Sequence, residues 1–146
     1  MLLMKNCILA SSGVEIHIPS GCYLASDEEV YVYNGITVYS HDESYRMVWQ
    51  VNEDDDRSTE EGLQDLLSEM SESEVLKPIT SSTVNGLTGH CTAYTDGRNG
   101  NYEARFMLPD HQQVYFYIIT EHGVNIEDVM KTPEFESALN AIRRAD

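Results

Sequence analysis

The stretch NYEARFMLPDHQQVYFYIIT, Asn101 to Thr120, decides the fold because it has the pattern of two strands joined by a tight turn. Tyr102 to Leu108 carries apolar or aromatic residues at every second position, which is the period of a half-buried strand. Pro109 to Gln112 forms the turn, and Gln113 to Thr120 follows as the densest β-branched and aromatic run of the chain. Since both faces of this second run are apolar or aromatic, we expect an interior strand that is covered on each side.

Further strand patterns precede this hairpin in the chain. Asn34-Gly35 and Asn85-Gly86 suit two-residue hairpin turns with positive φ. Pro78 suits an edge strand, because proline cannot donate to a central ladder. The pattern predicts five more strands, at Val14–Ile18, Val30–Tyr33, Ile36–Ser40, Arg46–Val51 and Leu87–Tyr94, and an extended segment at Val75–Thr80.

Three segments have the pattern of helices. Ser58 and Glu61 have the spacing of a capping box, and an apolar stripe at helical spacing follows them. Asn125 is placed to cap a short helical turn, and Thr132 with Pro133 opens a last helix. The first stripe consists of Leu63, Leu66, Leu67 and Met70, and the last of Phe135, Ala138, Leu139 and Ile142, with Arg143 and Arg144 at the C-terminal end of that helix.

These elements predict an α+β fold with a single antiparallel sheet of about six or seven strands and amphipathic helices packed on it. A mainly parallel sheet would need crossovers of roughly a dozen residues or more between strands, and few connections here are that long. The chain has no internal repeat, low-complexity tract or long linker. We therefore expect one domain over residues 1–146.

Charge and composition exclude several classes of partner. The 25 acidic and 9 basic residues give a net charge of −16, so no basic patch can neutralise the phosphates of nucleic acid or anionic lipid. No apolar run approaches the ~20 residues of a membrane-spanning helix, and the first ten residues do not form a convincing secretory signal. Cys7, Cys22 and Cys91 form no paired framework. We expect reduced thiols, a cytoplasmic location and no membrane insertion.

The acidic residues are concentrated in one part of the chain. Twelve carboxylates lie between Asp42 and Glu74, with only Arg46 and Arg57 as basic residues. Such a region is either a solvated face that keeps the protein in solution or a docking surface for a basic partner.

The residues that carry chemistry in enzymes do not form a catalytic pattern. His90 and Cys91 are adjacent on a predicted strand, so their side chains should point to opposite faces and cannot form a nucleophile–base pair. The five histidines lack metal-ligand spacing, and no cofactor motif is present. The sequence therefore favours a non-catalytic protein with no metal and no cofactor.

Tyrosines collect on one face of the predicted sheet, opposite Phe106 and Phe116. Tyrosine is enriched at interfaces, where its ring becomes buried while its hydroxyl stays in water. Either a helix or the N-terminal segment covers this face, or its tyrosines are simply half exposed, or the face binds another protein or a second copy of the chain. The face comprises Tyr31, Tyr33, Tyr39, Tyr94, Tyr115 and Tyr117. The candidate binding residues are Tyr33, Tyr94, Tyr115 and Tyr117, with His17 and His90 near them if their strands are neighbours.

Two short motifs stand out in the chain. The first ends the N-terminal strand as Ile16-His17-Ile18-Pro19-Ser20-Gly21, and the second is Val84-Asn85-Gly86-Leu87-Thr88-Gly89 before the long meander. Both resemble motifs of the Mog1/PsbP-like group of small α+β domains. Members often carry an aromatic residue directly after Pro-x-Gly, whereas this chain has Cys22 and then Tyr23. The resemblance covers nearly the whole chain and implies an antiparallel sheet flanked by helices. It also implies a binding or chaperone-like role without catalytic residues.

The sequence is compatible with two classes of function. The first is a non-catalytic module that binds a protein partner or a second copy of itself, as an adaptor or chaperone would. The second is a small-ligand carrier or enzyme with a pocket between sheet and helices. A flat aromatic patch would favour the first, and a pocket dense in perturbed ionisable groups would favour the second.

Overall fold

The computed structural model describes residues 6–9, 14–19, 21–24, 35–70, 74–109 and 111–144. These residues form ten strands and three helices. The strands are β1 Asn6–Leu9, β2 Val14–His17, β3 Tyr23–Leu24, β4 Gly35–Tyr39, β5 Tyr45–Asn52, β6 Glu74–Val84, β7 Leu87–Thr95, β8 Gly100–Met107, β9 Gln113–Thr120 and β10 Ile142–Arg144, and the helices are α1 Thr59–Ser68, α2 Ile126–Val129 and α3 Pro133–Leu139.

Seven of the strands form one antiparallel sheet in the order β3-β4-β5-β9-β8-β7-β6. The aromatic run of β9 occupies the centre, between β5 and β8, as expected. The expected cover on both sides is incomplete, because Tyr115, Tyr117 and Ile119 on the second face of β9 are only half-buried. Strand β6 lies at an edge, where its register shifts on either side of Lys77, next to Pro78. The antiparallel α+β class is thus confirmed.

The core lies on one face of this sheet. Trp49, Phe106 and Phe116 are fully buried there, and the rings of Trp49 and Phe116 stack 4.9 Å apart. Helix α3 contributes Phe135, whose ring meets that of Tyr102 edge-on at 4.9 Å. A second, three-stranded sheet in the order β1-β2-β10 adds further side chains to the same core cluster.

Each helix begins where a capping side chain was expected. The Ser58 hydroxyl accepts a hydrogen bond from the backbone amide of Glu61, and the Thr132 hydroxyl accepts one from the backbone amide of Phe135. The side-chain oxygen of Asn125 accepts one from the backbone amide of Glu127. Helix α1 packs against β7 and β8 with Leu63 fully buried, whereas Leu66, Leu67 and Met70 are half-buried.

The predicted end of the last helix is wrong. Helix α3 ends at Leu139, and Ile142 to Arg144 form β10, which pairs with β2 through Ile142 opposite Ile16. Pairing with β2 buries Ile142 completely, and the Asn85 side-chain amide donates to the carbonyl oxygens of Asn140 and Ile142. These contacts come from distant parts of the chain, so a helical stripe within the segment does not reveal them.

The remaining strand predictions differ from the structure mainly in length. Strand β6 extends the predicted Val75–Thr80 as far as Val84, and the turn that follows has positive φ at Asn85 (49°) and Gly86 (83°), as expected. The predicted strand Val30–Tyr33 lies outside the described residues.

Candidate functional site

The tyrosines of the seven-stranded sheet share the face opposite the core. Residues that pair across antiparallel strands lie on one face, and successive residues alternate between faces. Strand register therefore places Tyr39, Tyr94, Tyr115 and Tyr117 together on the second face. We call this surface the tyrosine face. It divides into a covered half and an open half.

Helix α1 covers the half formed by β7 and β8. Gly62 lies against Arg105 so closely that a Cβ at this position would be 2.5 Å from the Arg105 Nη1 atom. At the start of the helix, Thr59 Oγ1 lies 2.8 Å from His90 Nδ1, and the Glu60 carboxylate lies 3.4 Å from His90 Nε2. His90 thus contacts α1 and keeps 27% of its side chain exposed, whereas only 5% of the Tyr94 surface is exposed.

The loop between β5 and α1 holds Tyr115. The Tyr115 hydroxyl donates to the Asp55 carboxylate, and the Asn52 amide donates to the Tyr115 oxygen at 3.1 Å. Arg57 binds Asp55 through Nε and Nη2 at 3.0 Å each, and these hydrogen bonds hold the pKa of the Asp55 carboxyl below its usual range despite its burial. Burial and the bond to Asp55 raise the pKa of Tyr115. Tyr115 is therefore a neutral anchor for the loop.

A buried ion pair between Arg105 and Glu103 packs against the ring of Tyr115. Arg105 donates from Nε to Glu103 at 2.6 Å, and its guanidinium lies 4.0 Å from the centre of the Tyr115 ring. Burial raises the pKa of Glu103, and the charge of Arg105 opposes that rise. Since α1 covers this pair, its role is to fix Tyr115 and the helix rather than to meet a ligand.

The open half is a groove over β4, β5 and β9. Its volume is about 430 Å³. Tyr117 and Ile119 are partly exposed in it, and the Tyr117 hydroxyl donates a long hydrogen bond of 3.4 Å to the side-chain oxygen of Gln50. We call this site the groove; its lining consists of Gly35, Ile36, Thr37, Tyr39, Arg46, Val48, Gln50, Tyr117 and Ile119.

Exposed carboxylates begin where the groove ends. Strand β5 runs from the groove to Asn52, and the loop that follows crosses β9 at Tyr115, the neighbour of Gln50. The chain then enters α1 on the covered half. We call the exposed carboxylates of this path the acidic rim; they are Glu53, Asp54, Asp56, Glu60, Glu61 and Asp65.

The structure does not bring all candidate residues together. Tyr117 lines the groove, and Tyr115 is its neighbour on the same face of β9. Tyr94 and His90 lie on the covered half. His17 lies on β2 in the other sheet, 3.0 Å from Glu15, so it does not converge with His90. Tyr33 lies outside the described residues.

Sequence reasoning missed most of the groove lining. Arg46, Val48 and Gln50 alternate with the buried residues Met47, Trp49 and Val51 of the same strand, so the period of β5 placed them on the tyrosine face. The alternation along β5 could therefore have identified these three residues. The position of α1 determines which part of the face is open, and no pattern in the sequence predicts it.

The cysteines and acidic residues do not form a reactive centre in the described part of the chain. The Cys22 thiol donates to Glu134 at 2.9 Å, and burial together with this carboxylate raises the pKa of Cys22 to about 12. Cys22 is thus protonated at neutral pH and a poor nucleophile. Among these residues, no group of three or more His, Cys, Asp or Glu side chains could hold a metal ion. No described helix is long and apolar enough to cross a membrane.

Two open clefts lie beside α2, between the sheet and the helices. One of about 420 Å³ is formed by the Gly97–Gly100 turn and the start of α2, and one of about 380 Å³ includes Asp42, Tyr45 and Glu134. In the first cleft, the Asp96 carboxylate beside the turn already accepts from the amides of Arg98 and Asn99. The Asp96 carboxylate therefore stabilises the turn.

Comparison with solved structures shows the fold. The chain is similar to the Ran-binding protein Mog1p of Saccharomyces cerevisiae, with a TM-score of 0.60 and 11% identity over 99% of this chain and 97% of that one. It is similar to a mutant of Mog1, with a TM-score of 0.56, 11% identity and the same coverage. A protein of Bacteroides thetaiotaomicron VPI-5482 gives 0.54 and 10% identity over 99% of this chain, which spans 50% of that protein's length.

The expected Mog1/PsbP-like fold is confirmed by these likenesses. No protein-family model matches the chain, and no curated protein matches it.

Proposed function

We propose that this chain is a non-catalytic protein-binding module, folded as one domain, that contacts its partner through the groove and the acidic rim. The observation that carries this proposal is the groove itself: aromatic and aliphatic side chains remain partly exposed on half of a sheet face whose other half α1 covers. Tyr117 belongs to this surface. Exposed aromatic patches with polar borders are typical of protein interfaces.

The size of a stable interface requires more than the groove. A standard interface takes about 20–30 residues from each side, whereas nine residues line the groove. Its neighbours must supply the rest. The acidic rim is exposed and lies along the chain that contains Asp55, whose carboxylate binds Tyr115, the strand neighbour of the groove residue Gln50; the rim can therefore extend the contact.

The charge of this surface selects the partner's chemistry. The six carboxylates of the rim are exposed, and the nearby guanidinium of Arg57 is already bound to Asp55 and Asp65. A matching partner presents an apolar or aromatic side chain to the groove and lysine or arginine residues to the rim. The likeness to Mog1p, which is described as a Ran-binding protein, supports a protein as the ligand class. An adaptor-like or chaperone-like role in the cytoplasm, with reduced thiols, belongs to the same proposal.

Site-specific crosslinking tests the proposal. A photo-reactive amino acid at Tyr117 should give a discrete protein adduct in cells that contain the partner. The same amino acid at Thr83, an exposed residue on the edge strand β6, is the matched control and should give none. Replacing Glu60, Glu61 and Asp65 by Gln, Gln and Asn should reduce the adduct from Tyr117. Equal adducts from both positions, or none from Tyr117, would refute the proposal.

A homodimer through the same face is the second possibility that this surface allows. Two copies with a net charge of −16 repel each other, so added salt strengthens a homodimer. Salt instead weakens a complex in which the acidic rim meets a basic partner. Sedimentation at two ionic strengths, with Tyr117→Ala beside the parent, separates the two cases.

A further inference from the structure

One cation of the groove has no carboxylate partner. Arg46 is exposed and forms no ion pair with any of the residues that the structure describes. The two other arginines nearest to the tyrosine face are occupied, because Arg57 binds Asp55 and Asp65 and Arg105 binds Glu103. Of the basic residues between Asp42 and Glu74, Arg46 is the one without an ion pair to another described residue.

Strand register surrounds this guanidinium with apolar and aromatic side chains. Arg46 lies directly opposite Tyr39 on β4 and Ile119 on β9, and the next residue on the same face of β9 is Tyr117. Directly opposite side chains lie about 5 Å apart and diagonal ones about 7–8 Å apart, which long side chains can span. The charge of Arg46 also counteracts the rise in the pKa of Tyr117 that burial and Glu103 produce. Arg46 and Tyr117 therefore share one environment.

The shape and charge of the groove limit the ligand. Its volume of about 430 Å³ lies within the roughly 300–1,000 Å³ of small-molecule sites. A single guanidinium matches one carboxylate, which it can bind with two parallel hydrogen bonds. A phosphate would bring more negative charge to a protein whose net charge is −16 and would find one cationic side chain in the groove lining.

We propose that the groove is a binding site for a small aromatic monocarboxylate, whose carboxylate pairs with Arg46 while its ring packs against Tyr39 and Tyr117. This goes beyond the protein-binding role, because the ligand is a small molecule and its binding is measured without a partner. A bound ring occupies the space that a partner's apolar side chain would enter. The two ligands therefore compete for the groove.

The probe is naphthalene-2-carboxylate, and its neutral isostere naphthalene-2-carboxamide is the ligand control. Titrations followed by ¹H–¹⁵N NMR at pH 7 and 0.15 M salt suit the test, because the Debye length of about 8 Å then screens the more distant rim carboxylates. We expect both ligands to shift the amides of Thr37–Tyr39, Arg46–Gln50 and Tyr117–Ile119. The carboxylate should bind about ten-fold more tightly than the carboxamide, since a hydrogen bond to a charged group contributes about that factor or more.

Variants at Arg46 test the role of its charge. Arg46→Gln should remove the ten-fold preference, because it should weaken binding of the carboxylate much more than binding of the carboxamide. Arg46→Lys should keep part of the preference. Arg98→Gln makes the same charge change at an exposed turn outside the groove and should leave both ligands unaffected. The ¹⁵N spectrum of each variant shows whether it is folded.

Three results would overturn the inference: equal affinities for the two ligands, a preference that survives in Arg46→Gln, or shifts confined to residues outside the groove. The crosslinking from Tyr117 is an independent measurement. If the protein adduct forms while naphthalene-2-carboxylate does not bind, the ligand site is wrong and the protein-binding role stands. If naphthalene-2-carboxylate binds and no protein adduct forms, the protein-binding role is wrong and the ligand site stands.

Discussion

Asp55 shows how one buried charge organises the tyrosine face. Only 3% of its side chain is exposed, and it accepts hydrogen bonds from Arg57 and Tyr115. The Arg57 carbonyl oxygen in the same loop accepts a hydrogen bond of 2.7 Å from the side-chain amide of Gln113. These contacts tie the entry to α1 onto β9. Without the Asp55 carboxylate, the hydroxyl of Tyr115 and the guanidinium of Arg57 would lose their shared acceptor.

We expect Asp55→Asn to destabilise the protein by about 1–3 kcal/mol at pH 7, the usual cost of breaking a buried hydrogen-bond network. The pKa of Asp55 is lower in the folded state than the ~3.9 of an unfolded chain. Its contribution to stability is therefore fully present above about pH 4 and is lost as the pH falls through the folded-state pKa. The deficit of the variant should shrink between pH 4 and pH 2 in urea unfolding.

Asp56→Asn is the matched control for this substitution. Its carboxylate is the next in the chain but 80% exposed, so its removal should change stability by no more than about 0.5 kcal/mol at any of these pH values. A deficit of Asp55→Asn that does not vary with pH would show that the native charge of Asp55 contributes nothing.

Among the elements of the fold, β10 is held by the side chain of Asn85, which lies in the turn between β6 and β7. Asn85 occupies a positive-φ turn position and donates its amide to the carbonyls of Asn140 and Ile142, at 3.1 and 2.8 Å. This residue thus serves two elements: it closes the turn between β6 and β7, and it holds the segment that runs from α3 into β10.

Asn85→Gly separates these two roles, because glycine keeps the positive φ and removes the amide. We expect a loss of about 1–3 kcal/mol, from two hydrogen bonds at ~0.5–1.5 kcal/mol each. Hydrogen exchange at Arg143 and its neighbours in β10 should become faster, while exchange in β7 should stay close to that of the parent. Asn85→Asp should cost more than Asn85→Gly, since its carboxylate would face two carbonyl oxygens. Unchanged protection of β10 would contradict the assigned role.

At the scale of the whole molecule, the net charge of −16 opposes the compact state through self-repulsion. Salt screens this repulsion, so the free energy of unfolding should increase by about 1 kcal/mol between 0.02 and 0.3 M NaCl. Urea unfolding at the two salt concentrations measures the change. The triple replacement of Glu60, Glu61 and Asp65 should reduce the salt effect, whereas Arg98→Gln should enlarge it. A loss of stability with salt would indicate that attractive pairs such as Arg57–Asp65 outweigh the repulsion.

Much of the fold could be predicted because its signals are local. The alternation in β5 and β9, the three caps and the turn at Asn85-Gly86 each depend on residues a few positions apart. The candidate site was predicted less completely. The sequence indicates Tyr117 as a binding residue, but it indicates Arg46 only as the start of a strand and as a basic residue in an acidic region. It also groups His17 with the tyrosine face, although β2 belongs to the other sheet.

The sequence by itself determined the strand faces, the caps of the helices and the antiparallel class, because hydrophobic period and capping chemistry act within a few residues. Only the tertiary structure decided that β10 is a strand and that α1 covers β7 and β8 but leaves β4, β5 and β9 open. The reason is physical: the contacts of Gly62 with Arg105, of Asp55 with Tyr115 and of Asn85 with Ile142 join residues that are far apart in the chain. No local pattern encodes which of them will meet.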